Sequence, residues 1–222
     1  MSTMTGTSIL DVEIPAELPA APIATLGPEG TSSEASSRYL GTQLGTRFGR
    51  PDSDWPVQLH DRYELAGNAV RTGAAGLLVV ANAYHGVSEF YMDPRLRILG
   101  AYVFDTPLYG IAAAPSSPTA GPVRIASHPA PVPLIHELLD ADRFDVAEII
   151  RCDSTSAAAA TVASGEADLA LTTKPASELH GLTLISRVRP IRMLWSIFAP
   201  WPAERRRQGL SADGSHPSPQ ER

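Results

Sequence analysis

The sequence predicts an α/β protein of two similar lobes with a cleft between them, and three observations predict it. Short apolar runs alternate with helical stripes along most of the chain, the grammar of parallel sheets covered by helices. Two of the runs, Gly76–Ala81 and Asp168–Thr172, read as central strands buried on both faces. The order of elements in the first half also returns in the second, which gives two units of one plan. A chain of 222 residues is long enough to bury a core of that size.

Residues 1–21 are rich in Pro, Ser, Ala and charge without sustained apolar periodicity, so they are expected to form a flexible tail. The first strand is the apolar run Pro22–Leu26, followed by the turn Gly27-Pro28-Glu29-Gly30. Thr31-Ser32-Ser33-Glu34 has the spacing of a helix capping box, and Ala35, Tyr39, Leu40 and Leu44 continue at helical spacing. A second unit follows: a strand over Val57–Leu59, then a helix with the stripe Leu65, Ala69 and Val70 and its stop at Gly73. After the central strand come two more strands, Leu96–Phe104 and Leu108–Ala113.

The second lobe repeats the pattern with a strand at Val123–Ser127, a helix carrying Leu134, Ile135, Leu138 and Leu139, and a strand at Val146–Arg151. An alanine-rich helix runs from Ser154-Thr155-Ser156 to near Gly165, and a short helix spans Pro175–His180 with Gly181 as its stop. The expected domain covers 22–199, with lobe 1 at about 22–105 plus 187–199 and lobe 2 at about 106–186. The chain would cross the cleft near Asp105-Thr106-Pro107 and again near Arg187–Pro190, and residues 200–222 would form a disordered tail. Right-handed crossovers place ligands at the carboxyl ends of the strands, so the cleft is the expected site.

Composition narrows the function. A formal net charge of −6, with one basic cluster at Arg205–Arg207 in the tail, argues against a nucleic-acid partner. The single cysteine, Cys152, allows no internal disulfide and no thiolate metal cluster. No apolar run is long enough to cross a bilayer and the N-terminus lacks the pattern of a signal peptide, so a cytoplasmic protein without a membrane partner is expected. His60, His85, His128, His136 and His180 are scattered without metal-ligand spacing, and no phosphate-cradling glycine loop is present; no metal and no cofactor are expected.

Three turns at helix starts carry small hydroxyl residues: Gly30-Thr31-Ser32-Ser33, Ser127-His128-Pro129 and Ser154-Thr155-Ser156. Free backbone amides and the helix dipole attract anions there, each exposed helix end contributing about 0.3 to 1 kcal/mol. Several such ends together would suit a small dicarboxylate. Taken singly, each is equally an ordinary N-cap.

Leu26-Gly27-Pro28-Glu29-Gly30-Thr31 with Ser33-Glu34 resembles the opening motif of prephenate dehydratases. Ser127-His128-Pro129, Ser154-Thr155-Ser156-Ala157-Ala158 and Glu178-Leu179-His180-Gly181-Leu182 resemble later motifs of that catalytic domain, over about residues 22–199. The resemblance implies a two-lobed fold like the periplasmic type II binding proteins, with prephenate in the cleft, and leaves a homodimer open. The chain departs from the pattern in two places. Dehydratases carry a Thr-Arg-Phe motif whose threonine assists loss of the ring hydroxyl, and here Ile191-Arg192-Met193-Leu194-Trp195-Ser196-Ile197-Phe198 has no threonine. Their Glu-Asn-Ser segment is replaced by Asn82-Ala83-Tyr84-His85-Gly86, and the regulatory amino-acid-binding domain usual after the dehydratase catalytic domain is not expected here.

Those departures resemble the prephenate decarboxylases of bacilysin-type pathways. Leu26–Glu34, Ala83-Tyr84-His85-Gly86 before Phe90-Tyr91-Met92, Asp105–Gly110 and Trp195-Ser196-Ile197-Phe198 are all similar to that group. The resemblance implies decarboxylation of prephenate without aromatisation, because no acid protonates the ring hydroxyl. Thr31, Ser33, Ser127, Ser154, Thr155 and Ser156 are the expected substrate-binding residues, and Tyr84, His85 and His128 the expected catalytic ones. Tyr109 and Trp195 read as cleft walls and Arg38 as a solvated side chain. An unregulated prephenate dehydratase and a small-anion binding protein without catalysis are the competing readings.

Overall fold

Two mixed β-sheets, one in each lobe, frame the computed structural model, which describes residues 14–201 and the backbone of Leu10–Asp11. The first sheet contains β1 (Leu10–Asp11), β2 (Ile23–Leu26), β3 (Val57–His60), β4 (Leu77–Ala81), β5 (Leu96–Asp105) and β11 (Arg192–Pro200). Their spatial order is β1-β5-β11-β4-β2-β3. The second contains β6 (Tyr109–Ala113), β7 (Gly121–Ser127), β8 (Phe144–Arg151), β9 (Leu169–Thr173) and β10 (Thr183–Leu184), in the order β10-β6-β9-β7-β8. Six helices accompany them among the described residues: α1 (Ser32–Phe48), α2 (Tyr63–Thr72), α3 (Val87–Met92), α4 (Ile135–Leu138), α5 (Thr155–Ala163) and α6 (Lys174–Leu179).

The sheets are not parallel throughout. β4-β2-β3 and β9-β7-β8 are parallel triplets, and each is extended by an antiparallel strand, β11 in the first sheet and β6 in the second. Those two strands adjoin the segments where the chain passes between sheets, so the direction reversal follows from the crossing. The crossing segments hold each other: Thr106 N–H donates to the Ile191 carbonyl at 2.9 Å, and Tyr109 and Arg189 exchange backbone bonds of 2.7 and 3.0 Å.

Local chemistry sets the helix ends. Thr31 caps α1 by accepting from Glu34 N–H, while the Glu34 carboxylate accepts from Gly30 N–H at 2.8 Å, a capping box closed one residue earlier than usual. Gly73, at φ 82°, stops α2 in the left-handed region. The helix expected over Leu134–Leu139 shrinks to a 3-10 turn at Val132–Leu134 plus the single turn α4, because Pro129, Pro131 and Pro133 remove successive N–H donors. The helix α3, outside the sequence expectation, rests on Phe90 buried against Phe198.

Cores differ between the lobes. In lobe 1 large side chains such as Trp55, Phe90, Tyr102, Trp195 and Phe198 form one cluster. In lobe 2, Ala112, Ala126, Ala158, Ala159, Ala170 and Ala176 let α5 and α6 lie close on one sheet face, and Ile111, Ile125, Leu169 and Leu171 fill the other. Truncating a buried leucine or phenylalanine in such clusters costs about 2 to 5 kcal/mol.

Leu10–Asp11 and residues 14–21, the described part of the segment before β2, correct the expectation of a tail wholly outside the core. β1 pairs with β5, and Ile14 and Leu18 pack on the lobe 1 cluster, because the β5 edge and the sheet face beside it are open to them. The expected C-terminal tail beyond Trp201, with Arg205–Arg207, lies outside the described residues. Among the described residues no helix is long and apolar enough to cross a membrane.

Candidate active site

A cleft of about 990 Å³ opens between the lobes at the carboxyl ends of β2, β3, β4, β7 and β8, a size suited to a small organic ligand. Its back is apolar: Trp195, Met193 and Ile191 stand beside Leu26 and Ala81. The Trp195 indole N–H is turned away, donating to the Phe104 carbonyl at 3.4 Å.

The lobe 2 wall presents donors. Ser154 caps α5 by accepting from Ala157 N–H at 3.0 Å, which leaves its own hydroxyl proton for the cleft, and Thr155 lines the cleft beside it. The N–H groups of Thr155 and Ser156, in the first turn of α5, have no acceptor within the helix. His128 follows β7 and lines the same wall. Its Nδ1 accepts from Ala130 N–H at 3.2 Å, which assigns the proton of the neutral ring to Nε2. Burial pulls the His128 pKa below its ordinary 6.5; Asp153 opposes that and His85 adds to it, so His85 of lobe 1 lies within electrostatic reach of His128.

The lobe 1 wall presents hydroxyls that are already paired. The Thr31 hydroxyl donates to the Leu26 carbonyl at 3.3 Å and accepts from Glu34 N–H at 3.3 Å. Ser33 shares a 2.8 Å hydrogen bond with the Tyr63 hydroxyl, which also accepts from Ala81 N–H at 3.3 Å, and burial pushes the Tyr63 phenol up to about 12. Tyr84 donates its hydroxyl to Glu64 Oε1, and its ring lies 4.7 Å from that of Tyr63 and 4.6 Å from that of His85, centroid to centroid. Burial first, and then the Glu64 carboxylate, raise the Tyr84 pKa, while the bond from Tyr84 lowers that of Glu64. Gly86 makes room for this ring: a Cβ there would stand 2.7 Å from its Cε1. Tyr109, reaching over from lobe 2, pairs with Ser32 at 3.2 Å.

Of the expected site residues, Thr31, Ser33, Tyr84, His85, His128, Ser154 and Thr155 therefore line one cleft. Ser127 and Ser156 do not. Ser127 is fully buried and donates to the carbonyl of His128 at 2.8 Å, since the last inward-facing position of a strand points into the sheet packing. The Ser156 side chain, in the first turn of α5, is turned to His180 Nε2 at 3.1 Å, so only its backbone can serve a ligand in the cleft. Arg38 is exposed and paired with Glu34 at 2.8 Å, outside the cleft.

Sequence reasoning passed over Asp61, Arg62, Tyr63, Glu64, Arg151 and Asp153, all of which line the cleft. The signal was available: Asp61–Glu64 follows β3 directly, and the strand-end rule applied to the other turns points to it as well. Neither the Arg62 nor the Arg151 side chain forms an ion pair or hydrogen bond among the described residues. No group of three or more His, Cys, Asp or Glu side chains is gathered for a metal ion among those residues.

No family model matches the chain. It is 35% identical over 181 residues to a prephenate decarboxylase of Bacillus amyloliquefaciens, a match covering 79% of this chain and 85% of that protein. Among solved structures it resembles prephenate dehydratase in complex with L-Phe from Arthrobacter aurescens, with TM-score 0.61 and 17% identity, over 82% of this chain and 61% of that one. The chain thus spans about three fifths of that dehydratase. A periplasmic substrate-binding protein of an ABC transporter from Coxiella burnetii gives TM-score 0.50 at 11% identity, over 80% of this chain and 83% of that one. These likenesses establish the fold, a type II binding-protein architecture with a cleft between two lobes.

Proposed function

The chain belongs to the prephenate decarboxylase family, and on that premise we propose that it removes carbon dioxide from prephenate in this cleft and leaves the ring hydroxyl in place. The product is a dihydro-4-hydroxyphenylpyruvate, a precursor for a dihydroaromatic amino acid or antibiotic. When the bond to the ring carboxylate breaks, its electron pair enters the cyclohexadiene. Protonation of the hydroxyl would let water leave and the ring become aromatic; protonation at carbon keeps the alcohol.

One observation carries this reading: the phenols and the partly buried imidazole in the cleft are poor acids. Tyr84 is bonded to a carboxylate, Tyr63 is held by Ser33 and Ala81 and raised to about 12, Tyr109 is paired with Ser32, and burial keeps His128 neutral. Loss of hydroxide needs a strong donor. A ring carbanion is far more basic than the ring alcohol and asks less of its donor; His85, exposed at the cleft, is the candidate to deliver that proton.

Binding divides between the walls. Ser154, Thr155 and the first N–H groups of α5 receive the pyruvyl carboxylate, an interaction of up to about 2 kcal/mol at a partly buried helix end. His128 Nε2–H donates to the adjacent keto oxygen. The ring carboxylate faces Trp195 and Met193, because a polar grip there would stabilise the ground state that must lose its charge. Thr31 and Ser33 act through the backbone of the α1 start that their hydroxyls build.

The test is a product analysis. Purified protein should consume prephenate and release carbon dioxide without the alkaline enolate absorbance of phenylpyruvate. Enzyme-dependent phenylpyruvate would make the protein a dehydratase, and tight binding without turnover would make it a binding protein.

A further inference from the structure

Glu64 has no part in gripping a dianion, being an anion itself, yet it lines the cleft and holds the hydroxyl of Tyr84. We propose that Glu64 determines product specificity: by engaging the Tyr84 hydroxyl it keeps the one phenol poised over the substrate from donating to the ring alcohol. The inference rests on the decarboxylase reading above.

Of the three cleft phenols, Tyr63 and Tyr109 are buried and locked to serines of α1. Tyr84 is different. It is only partly buried, sits on the turn after β4, and its hydroxyl bonds to no other group among the described residues. Its ring is fixed between Tyr63 and His85 with Gly86 beneath it, so rotation about the side chain is restricted and the direction of its O–H bond is set by Glu64. Without that acceptor the hydroxyl would turn to the next oxygen in the cleft. A phenol no longer facing a carboxylate is also a better acid, and aromatisation would then draw the reaction toward loss of water. The balance of the diverted step is simple: Tyr84 O–H protonates the ring hydroxyl, the C–O and C–CO2 bonds break together, water and carbon dioxide leave, and the phenolate is reprotonated from solvent.

The experiment compares wild type, Glu64→Ala, Glu64→Gln and Glu64→Ala/Tyr84→Phe, reading the ratio of phenylpyruvate to non-aromatic product per prephenate consumed. Thermal melts confirm that each variant is folded. The expected result is at least a tenfold rise of that ratio in Glu64→Ala, a smaller rise in Glu64→Gln, whose neutral amide still accepts from Tyr84, and return toward the wild-type ratio in the double variant. A purely structural role would slow both products alike and leave the ratio still. An unchanged ratio in either single variant that turns over overturns the proposal, as does a leak that survives removal of the Tyr84 hydroxyl. Loss of all prephenate consumption in folded Glu64→Ala and Glu64→Gln also overturns it, because Glu64 would then serve the decarboxylation itself. Phenylpyruvate from the wild type would instead sink the underlying decarboxylase reading.

Discussion

The two lobes share a frame and differ in what their hydrogen bonds leave free. Each has a parallel triplet flanked by an antiparallel strand, with strand ends delivered to the same cleft. In lobe 1 the hydroxyls of Thr31, Ser33, Tyr63 and Tyr84 are already engaged with protein partners. In lobe 2 the hydroxyl of Ser154 keeps its proton, Thr155 lines the cleft, and His128 aims Nε2–H outward from a ring pinned at Nδ1. A paired donor must give up a bond worth about 0.5 to 1.5 kcal/mol net before it can serve a ligand, and an unpaired one need not. On the proposed reading one wall shapes the ring and the other grips charge, a division that neither topology nor residue type expresses.

Removing His128 should produce the largest effect. His128→Ala is expected to lower kcat/KM by about 10² to 10³, the usual loss on deleting a preorganised donor. Tyr63→Phe, which removes a hydroxyl of lobe 1 that faces Ser33, should cost far less in the same steady-state assay. A pH profile tightens the comparison. Because burial lowers the His128 pKa, the neutral ring persists as the pH falls through 6.5, and changes in rate or product should begin only below that value. The sign for stability follows: the unfolded chain binds the proton first, so the stability contributed by His128 is present above 6.5 and is lost as the pH falls toward and through the lower folded-state pKa. An inflection above 6.5 that disappears in His128→Gln would contradict the assignment.

Next come the hydroxyls at the start of α5. Hydrogen bonds to a charged group contribute about 1.5 to 3 kcal/mol, so Thr155→Val should raise KM by roughly 10-fold to 150-fold with little change in melting temperature. Ser154→Ala should raise KM and also lose about 1 kcal/mol of stability, since Ser154 is the N-cap. Thr31→Val in lobe 1 should show the reverse order, a drop in stability larger than its change in KM, because its hydroxyl is spent on Glu34 N–H and the Leu26 carbonyl. If Thr31→Val raises KM as much as Thr155→Val, the division between the walls fails.

How far the sequence revealed this site can be judged residue by residue. The capping box at Thr31–Glu34, the central strand β4 and the stop at Gly73 were legible because each rests on local spacing. β11, β1 and the antiparallel extensions were not, since they depend on which sheet edge is left open once the lobes have formed. Within the site, sequence supplied the turns and missed the allocation of protons. Ser154 and Ser156 look alike as letters, yet one lines the cleft and the other bonds to His180, a distinction set by position around the first turn of α5. Glu64 stands at a strand end like the other turns, but its contact with Tyr84, 20 residues on, exists only in the fold.

The smallest effect expected comes from Arg62 and Arg151, one from each lobe. Both are exposed at the cleft rim, and each has an acidic neighbour two residues on, Glu64 and Asp153, that offsets part of its field. Exposed charge pairs contribute about 0.2 to 1 kcal/mol, so Arg62→Ala and Arg151→Ala should each raise KM by about 1.4-fold to 5-fold. Salt decides what that means. In about 1 M salt the Debye length falls to about 3 Å, and a long-range pull on the incoming dianion should vanish, whereas the Thr155→Val effect, a short contact, should remain. Should the Arg62→Ala effect survive high salt while that of Arg151→Ala fades, Arg62 would be touching a carboxylate in the closed cleft, and lobe 1 would have to be counted among the gripping walls after all.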